Sequence, residues 1–321
     1  MVREGFGPGP DAPGDYLGAA AEHGALQVIG TQLCDESGTP IQLKGVSTHG
    51  IQWFPTYPKH TVYHLAYDWG IDVIRPAMYV EDYKDDAYWA GYIAEPEYMT
   101  NKLTEIIDEA LDLDIYVLVD WHIHNNPNNF TTQAVRFFED MATQYGGYPN
   151  IMYEICNEPE GVSWADVKNY ANTVIPAIRA IDPDNLIIVG TQDWSQRIDL
   201  AAADPLTGYT NIMYALHFYA GEHFSWVQER GNNALSSGLP IFVSEWGGSD
   251  YSGGDNGLFF QNESEILVDW MNDNNISWMN WSFSNKDETS AAVKPGVRLL
   301  GPWADQDLTQ SGIMVKGMIK D

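Results

Sequence analysis

The most constraining feature of the chain is a theme repeated eight times, in which a short apolar run ending in polar residues precedes a longer amphipathic stretch. This alternation is typical of β-strands that are each followed by an α-helix. The predicted strands cover residues 43–48, 72–79, 116–122, 151–158, 186–191, 212–219, 240–246 and 277–283. The clearest helix candidates cover residues 96–113, 131–145, 164–181 and 258–274. Eight such units predict an α/β fold, the (β/α)8 TIM barrel.

Two segments precede the first predicted barrel strand. Residues 1–22 contain the run GFGPGPDAPGD, whose glycines and prolines predict an irregular N-terminal arm. Residues 26–43 alternate apolar and polar side chains around a Glu36-Ser37-Gly38 turn, which predicts a β-hairpin at the bottom of the barrel. Residues 23–321 are then expected to form one domain, with residues 309–320 as its last helix.

The charge of the chain limits its partners. Lys and Arg number 16 against 45 Asp and Glu, which leaves a net charge of −29. Such a surface repels phosphate backbones and anionic lipid headgroups, so neither nucleic acid nor a membrane is an expected partner. The sequence shows no apolar signal segment and no 18-residue apolar span. A monomer is expected.

Polar and aromatic residues collect at the ends of the predicted strands. Active sites of TIM barrels lie at the carboxyl ends of the strands, and buried charges are costly unless they are paired. The residues at these ends are His49, Arg75, Tyr79, His122, Asn157, Glu158, His217, Tyr219, Glu245 and Trp281. Together they predict a functional site.

Glu158 and Glu245, on the fourth and seventh predicted strands, suit the cleavage of a glycosidic bond. That reaction needs a proton donor for the leaving oxygen and a second carboxylate against the sugar carbon. Carboxyl groups about 5 to 5.5 Å apart retain the anomeric configuration, whereas about 6.5 to 9.5 Å leaves room for water and inverts it. The sequence leaves this distance open.

Six motifs in order carry a resemblance to a known family. They are IRPAMY at 74–79, VDWH at 119–122, YEICNEP at 153–159, HFY at 217–219, FVSEWG at 242–247 and WSFSNKDE at 281–288. From about residue 26 onward the chain resembles glycoside hydrolase family 5, in clan A, and closely its bacterial endo-β-1,4-glucanase (cellulase) branch. The resemblance implies a secreted, cofactor-free enzyme that hydrolyses internal bonds of cellulose with retention of configuration.

The same resemblance implies roles for individual residues. Glu158 is implied to be the acid/base and Glu245 the nucleophile, whose negative charge Arg75 and Tyr219 would stabilise. Asn157 would hydrogen-bond the 2-hydroxyl of the sugar. The supporting residues that would line the reacting site and position the acid are His122 and His217. The residues implied to bind substrate are His49, Trp53, Tyr79, Trp281, Lys286 and Glu288. A cis peptide bond is also implied between Trp281 and Ser282.

Several alternatives remain open. His122 and His124 have the same-face spacing of a zinc pair, but no further ligand cluster accompanies them, so no metal is expected. His124 and Cys156 depart from the family pattern, which leaves their roles undecided, and Trp194 suits a buried position or a sugar contact equally well. The same machinery also serves mannan, xylan or xyloglucan. A barrel that binds carbohydrate without cleaving it is the alternative from another class.

Overall fold

Eleven strands are present in the computed structural model, which describes residues 16–54, 57, 60–81 and 90–321. They are β1 Gln27–Ile29, β2 Gln32–Cys34, β3 Lys44–Thr48, β4 Val73–Arg75, β5 Ala77–Tyr79, β6 Tyr116–His122, β7 Ile151–Glu154, β8 Ile187–Val189, β9 Ile212–Tyr219, β10 Ile241–Gly247 and β11 Trp278–Phe283. Strands β3 to β11 pair in parallel, and the ring closes because β4 pairs with both β3 and β6. The predicted TIM barrel is confirmed.

The second barrel strand is divided in two. Residues 72–79 are predicted as one strand, but Pro76 separates β4 from β5. Proline has no N–H group and cannot donate a ladder hydrogen bond. Strand β5 therefore pairs with β6 alone, which sets Tyr79 beside His122 at the barrel mouth.

The fourth barrel strand is shorter than predicted. The ladder of β7 ends at Glu154, although the prediction extends to residue 158. The chain continues along β6, because the N–H of Asn157 donates to the carbonyl of Trp121 and the N–H of Glu158 to that of Ile123. Two backbone hydrogen bonds therefore place Glu158 at the mouth without a regular strand.

Helices cover the outside of the barrel. They are α1 Ala19–His23, α2 His60–His64, α3 Pro96–Asp112, α4 Thr131–Tyr145, α5 Trp164–Arg179, α6 Gln192–Ser195, α7 Ile198–Ala203, α8 Ala220–His223, α9 Val227–Ser236, α10 Gln261–Asp273 and α11 Gln310–Lys320. A π-helical turn, Leu65–Trp69, extends α2, and 3-10 turns cover Pro127–Phe130 and Asp305–Asp307. All four predicted helices are confirmed, with α10 beginning three residues late. None of the described helices is long and apolar enough to cross a membrane.

The helices form where capping and apolar spacing agree. Helix α5 begins at a capping box, in which the Ser163 hydroxyl accepts from the N–H of Asp166 and the Asp166 carboxylate accepts from the N–H of Ser163. Helix α3 buries Met99, Leu103 and Ile106, which recur at intervals of four and three and so share one face. That face packs against the barrel wall.

The predicted hairpin is present at the bottom of the barrel, but its turn lies elsewhere. Strands β1 and β2 are antiparallel and turn at Gly30, which has the left-handed φ of 64° that glycine tolerates. The Glu36-Ser37-Gly38 turn also forms, and it folds Ile41 back onto Leu33 through a backbone hydrogen bond. Leu33 and Ile41 pack against the lowest layer of barrel side chains. The hairpin therefore closes this end, as predicted.

The predicted irregular arm needs a correction at its end. Residues 1–15 lie outside the described residues, but Ala19–His23 forms a short helix. Three consecutive alanines favour that helix, and the N–H of Ala20 donates to the carbonyl of Asp114 at the base of the barrel. The proposed domain boundary near residue 22 stays a prediction.

Candidate active site

A cleft of about 960 Å³ opens at the carboxyl ends of the strands. It brings together eleven of the thirteen residues that the sequence singles out: His49, Trp53, Tyr79, His122, Glu158, His217, Tyr219, Glu245, Trp281, Lys286 and Glu288. The other two, Arg75 and Asn157, are fully buried behind the cleft wall.

Glu158 and Glu245 face the same small volume at the centre of the cleft. One carboxylate oxygen of each lies within 4.8 Å of the other, and a ring nitrogen of His217 completes the group at the same spacing. Both acids are nearly buried, with 9% of Glu158 and 4% of Glu245 exposed. A single atom in the cleft can therefore contact both carboxyl groups.

Both oxygens of Glu245 accept hydrogen bonds. Arg75 Nη1 donates to Oε2 at 3.0 Å, and the Tyr219 hydroxyl donates to Oε1 at 2.8 Å. Arg75 also pairs with Glu154 at 2.7 Å and with Asp120 at 3.2 Å. Burial disfavours the charged guanidinium, but the three carboxylates outweigh this effect and raise the pKa of Arg75 above its ordinary value. The cation therefore persists and stabilises the charge of Glu245.

Asn157 is held by Arg75 as well. Its Oδ1 accepts from Arg75 Nη2 at 2.5 Å, and its Nδ2 lies 3.5 Å from His122 Nε2. The acceptor is thus directed toward the guanidinium and the amide NH₂ group toward His122. Because Asn157 is fully buried, a contact with a sugar hydroxyl stays a prediction.

Histidines surround Glu158. His217 Nδ1 lies 3.0 Å from Oε1, and His124 Nε2 lies 3.8 Å from Oε2. Burial lowers the pKa of His217, but hydrogen bonding to Glu154 and Glu158 outweighs it and raises that pKa to about 9. Burial lowers the pKa of His124 despite the nearby Glu158. His217 is therefore the protonated neighbour of Glu158 near neutral pH, and His124 is a neutral one.

His122 is fixed from two sides. Its Nδ1 shares a hydrogen bond of 2.6 Å with Asp120 Oδ2, and its ring stacks on Trp281 with centroids 5.5 Å apart and planes 17° from parallel. Burial, together with His124 and Arg75, lowers the pKa of His122 well below its ordinary value. His122 therefore presents a neutral imidazole to the cleft that contains the two acids.

Aromatic rings form one wall of the cleft. The Trp53 ring meets Tyr79 edge-on at 4.7 Å, and His49 lies 5.0 Å from Trp281. Burial lowers the pKa of His49 to about 3, so its ring is neutral. The peptide bond between Trp281 and Ser282 is cis, which confirms the prediction made for it. This wall presents ring faces suited to the C–H faces of a sugar.

Lys286 and Glu288 lie on the loop that follows β11. They form an ion pair of 2.5 Å, in which the Glu288 side chain is 1% exposed and the Lys286 side chain 41%. Gly253 packs against this pair, since a Cβ atom there would meet Glu288 Oε2 at 2.8 Å. The loop therefore presents an ammonium group to the cleft beside a buried carboxylate.

Three buried polar residues of this site were not predicted from the sequence, namely Asp120, Glu154 and Ser244. A signal for two of them was present, because Asp120 precedes His122 by two residues and side chains two apart on a strand face the same side. Glu154 precedes Glu158 by four residues on the predicted strand 151–158, which places both on the same predicted face. Ser244 had no such signal, since only the fold brings its hydroxyl to His217 and Glu154.

Of the two positions that the sequence left open for Trp194, the structure shows the exposed one, in the cleft. Trp194 is 45% exposed and lines the cleft. It lies in α6, where Asp193, Trp194 and Ser195 all have left-handed backbone angles, so this segment is a left-handed turn and not a regular helix. The N–H of Trp194 donates to the carbonyl of Pro159, which ties this turn to the segment that carries Glu158. The ring extends the cleft on that side.

The barrel, its cleft and two facing acids are together the architecture expected of a barrel glycosidase. A family model described as Cellulase (glycosyl hydrolase family 5) matches residues 34–287. The chain belongs to glycosyl hydrolase family 5, which confirms the resemblance seen in its motifs.

Two relatives of the chain are named as endoglucanases. The endoglucanase of Clostridium saccharobutylicum is 50% identical over 301 residues, which are 92% of this chain and 65% of that protein. Endoglucanase 5 of Pectobacterium carotovorum subsp. carotovorum is 46% identical over 303 residues, which are 93% of this chain and 58% of that protein. The chain thus spans less than two thirds of the length of these relatives.

A solved structure agrees in fold. It is the catalytic domain of Thermobifida fusca endoglucanase Cel5A (E5), a variant in complex with cellotetraose. It matches with a TM-score of 0.88 and 38% sequence identity, covering 95% of this chain and 100% of that one.

Proposed function

We propose that the chain is a retaining endo-β-1,4-glucanase with Glu245 as nucleophile and Glu158 as acid/base. The observation that carries the proposal is the spacing of at most 4.8 Å between an oxygen of each acid. This close approach of two oxygens suits the roughly 5 to 5.5 Å separation of the carboxyl groups in a retaining pair better than the roughly 6.5 to 9.5 Å of an inverting pair. The two acids therefore act on one anomeric carbon directly and in turn.

The reaction follows from the environments of the two acids. Glu158 protonates the glycosidic oxygen while Glu245 attacks the anomeric carbon, forming a covalent glycosyl-enzyme and releasing the first product. Water then enters and attacks the same carbon, Glu158 takes its proton, and the bond to Glu245 breaks. Arg75 and Tyr219 hold Glu245 in line, and His122 and His217 position the reacting site around Glu158.

A β-1,4-glucan is the substrate that the cleft and the comparisons support. Two relatives are named endoglucanase, and the Thermobifida fusca structure contains cellotetraose. The aromatic wall of His49, Trp53, Tyr79 and Trp281 suits the flat faces of successive glucose rings. Lys286 and Glu288 offer hydrogen bonds to the next sugar on the non-reducing side. Because the substrate is a polymer, we propose that the enzyme acts outside the cell, as a monomer without a cofactor.

The proposal is tested on carboxymethylcellulose by following the appearance of reducing ends. Wild type is compared with Glu245→Gln, which keeps the shape of the side chain but removes its nucleophilic oxygen, and with Glu229→Gln on the exposed surface of α9 as a matched control. We expect activity in wild type and Glu229→Gln and none in Glu245→Gln. Equal rates for wild type and Glu245→Gln would refute the assignment of Glu245 as the nucleophile.

Two further measurements separate the alternatives. Proton NMR of the first product from a cellooligosaccharide should show the β anomer, whereas an initial α anomer would indicate inversion. A panel of cellulose derivatives, mannan, xylan and xyloglucan should show the highest kcat/KM on β-1,4-glucan. Binding of cellooligosaccharides without any shortening of them would support a non-catalytic barrel instead.

A further inference from the structure

Four buried side chains form a continuous hydrogen-bond chain that ends at Glu158. Glu154 on β7 accepts from the hydroxyl of Ser244 on β10. The Ser244 oxygen lies 2.8 Å from Nε2 of His217 on β9, and Nδ1 of His217 lies 3.0 Å from Oε1 of Glu158. Glu154 and Ser244 are fully buried and His217 is 1% exposed, so water does not compete for these bonds.

The direction of each bond follows from the donors that are present. Glu154 forms a 2.7 Å ion pair with Arg75 and, as a carboxylate, only accepts hydrogen bonds. Ser244 has a single O–H group, which it donates to Glu154, so it presents a lone pair to His217. The proton of a neutral His217 must therefore be on Nε2, which leaves Nδ1 to face Glu158.

We propose that Ser244 is a positioning residue, which fixes the tautomer of His217 so that Nδ1 and Glu158 share the proton used in acid/base catalysis. This inference rests on the proposed function of Glu158. Ser244 touches neither the reacting atoms nor the cleft surface. It acts through His217, because its hydroxyl connects Nε2 of His217 to the negative charge of Glu154. Arg75 in turn pairs with that charge.

The shared proton passes through a complete cycle. In the resting pair one proton lies between His217 Nδ1 and Glu158 Oε1. When the glycosidic bond breaks, the pair delivers this proton to the leaving oxygen, and Glu158 is left as a carboxylate beside a neutral His217. When water attacks the glycosyl-enzyme, its proton returns to the pair and its oxygen bonds to the sugar. The carboxylate of Glu245 leaves with the electron pair of its own bond.

Charged and titratable groups on four barrel strands face this pair or its partners. They are Glu154 with Glu158 from β7 and its extension, Glu245 from β10, His122 with His124 from β6 and the residues after it, and Arg75 from β4. Three of these groups are acids close to His217 and favour its protonated form. Ser244 supplies a hydroxyl that links His217 to the Glu154 carboxylate.

The pH dependence of kcat/KM tests the proposal. The basic limb reports loss of the shared proton, because acid catalysis needs the pair protonated. In Ser244→Ala the link to Glu154 is lost, the protonated pair is less stable, and the basic limb should move about 1 to 2 pH units lower. KM at the pH optimum should change little. Ser244→Thr, which keeps the hydroxyl, should restore the wild-type limb.

Ser277→Ala is the matched control. Ser277 is buried at the opposite end of the barrel, where its hydroxyl oxygen accepts from the N–H of Leu43. Its loss should leave the pH profile unmoved. A Ser244→Ala profile that coincides with that of Ser277→Ala would overturn the positioning role. An inactive wild type would instead refute the proposed function and leave the tautomer to be decided by a second measurement.

That second measurement is long-range ¹H–¹⁵N NMR of wild type, which assigns the protonated nitrogen of His217 without requiring activity. The proposal expects a proton on Nε2 throughout, with only Nδ1 changing its protonation as the pH rises. A neutral His217 that carries its proton on Nδ1 would overturn the proposal. The result does not depend on whether the Ser244 variants fold.

Discussion

Replacing Arg75 by Met tests how the site tolerates three buried carboxylates. Methionine keeps much of the apolar volume of the arginine stem but removes the guanidinium, which contacts Asp120, Glu154 and Glu245 within 3.2 Å. Arg75 and its first two partners are fully buried, so no solvent replaces the lost cation. Breaking a buried ion pair by removing one partner costs about 3 to 5 kcal/mol.

This cost converts into a change of melting temperature. The entropy of unfolding is about 2.1 cal/mol/K per residue, so a chain of 321 residues changes Tm by about 1.5 °C for each kcal/mol. Arg75→Met should therefore melt about 4 to 8 °C below wild type at pH 7. The matched control is Arg197→Met, because the Arg197 side chain is 32% exposed in its pair with Asp199. Such pairs contribute about 0 to 1 kcal/mol, so that Tm should fall by no more than about 2 °C.

The difference in Tm between wild type and Arg75→Met should also depend on pH. Burial opposes ionisation of Glu154, but Arg75 outweighs it and lowers the pKa from 4.5 to about 2. A lowered carboxyl pKa contributes stability that is present above the unfolded value and is lost as the pH falls through the folded value. In wild type the Glu154 contribution to stability should thus be full at pH 7 and be lost as the pH falls from about 4.5 to about 2, and the difference in Tm should shrink over that range.

Thermal melts followed by circular dichroism, from pH 7 downward, provide the measurement. Equal Tm values for Arg75→Met and Arg197→Met at pH 7 would refute the reasoning, because they would mean that the carboxylates do not depend on Arg75. A difference that grows as the pH falls would refute the assigned direction of the Glu154 pKa.

Three shorter predictions follow from other features. Trp53→Ala should raise KM for cellooligosaccharides about tenfold while kcat stays within about twofold, because a ring that binds ground and transition states alike affects KM alone; an unchanged KM would contradict the sugar contact. Added NaCl should raise Tm, since it screens a net charge of −29, and a falling Tm would contradict this effect. Dialysis against EDTA should leave activity on carboxymethylcellulose unchanged, because Arg75 supplies the cation at Glu245. A loss of activity that is reversed by adding divalent ions would contradict a metal-free site.

The part of the fold that the sequence predicts is the part that depends on local patterns of side chains. The alternation of apolar runs and amphipathic stretches predicts all eight barrel positions, because side-chain periodicity is set by residues near one another in the chain. The predicted position of the hairpin turn is wrong because local patterns alone do not show which strands pair. Both Glu36-Ser37-Gly38 and Gly30 are suitable for a turn. Only the pairing between β1 and β2 shows that the hairpin turns at Gly30.

The chain by itself also determined which residue types gather at the strand ends, since Glu158 and Glu245 are the acids at the ends of the fourth and seventh predicted strands. It did not determine their separation. Arg75 reaches Glu245 across 170 residues, and Ser244 reaches Glu154 across 90. These contacts exist only after the barrel closes, because closure sets the distance between side chains on different strands. The tertiary structure therefore decided the spacing of the two acids, the sharing of one guanidinium among three carboxylates, and the tautomer of His217.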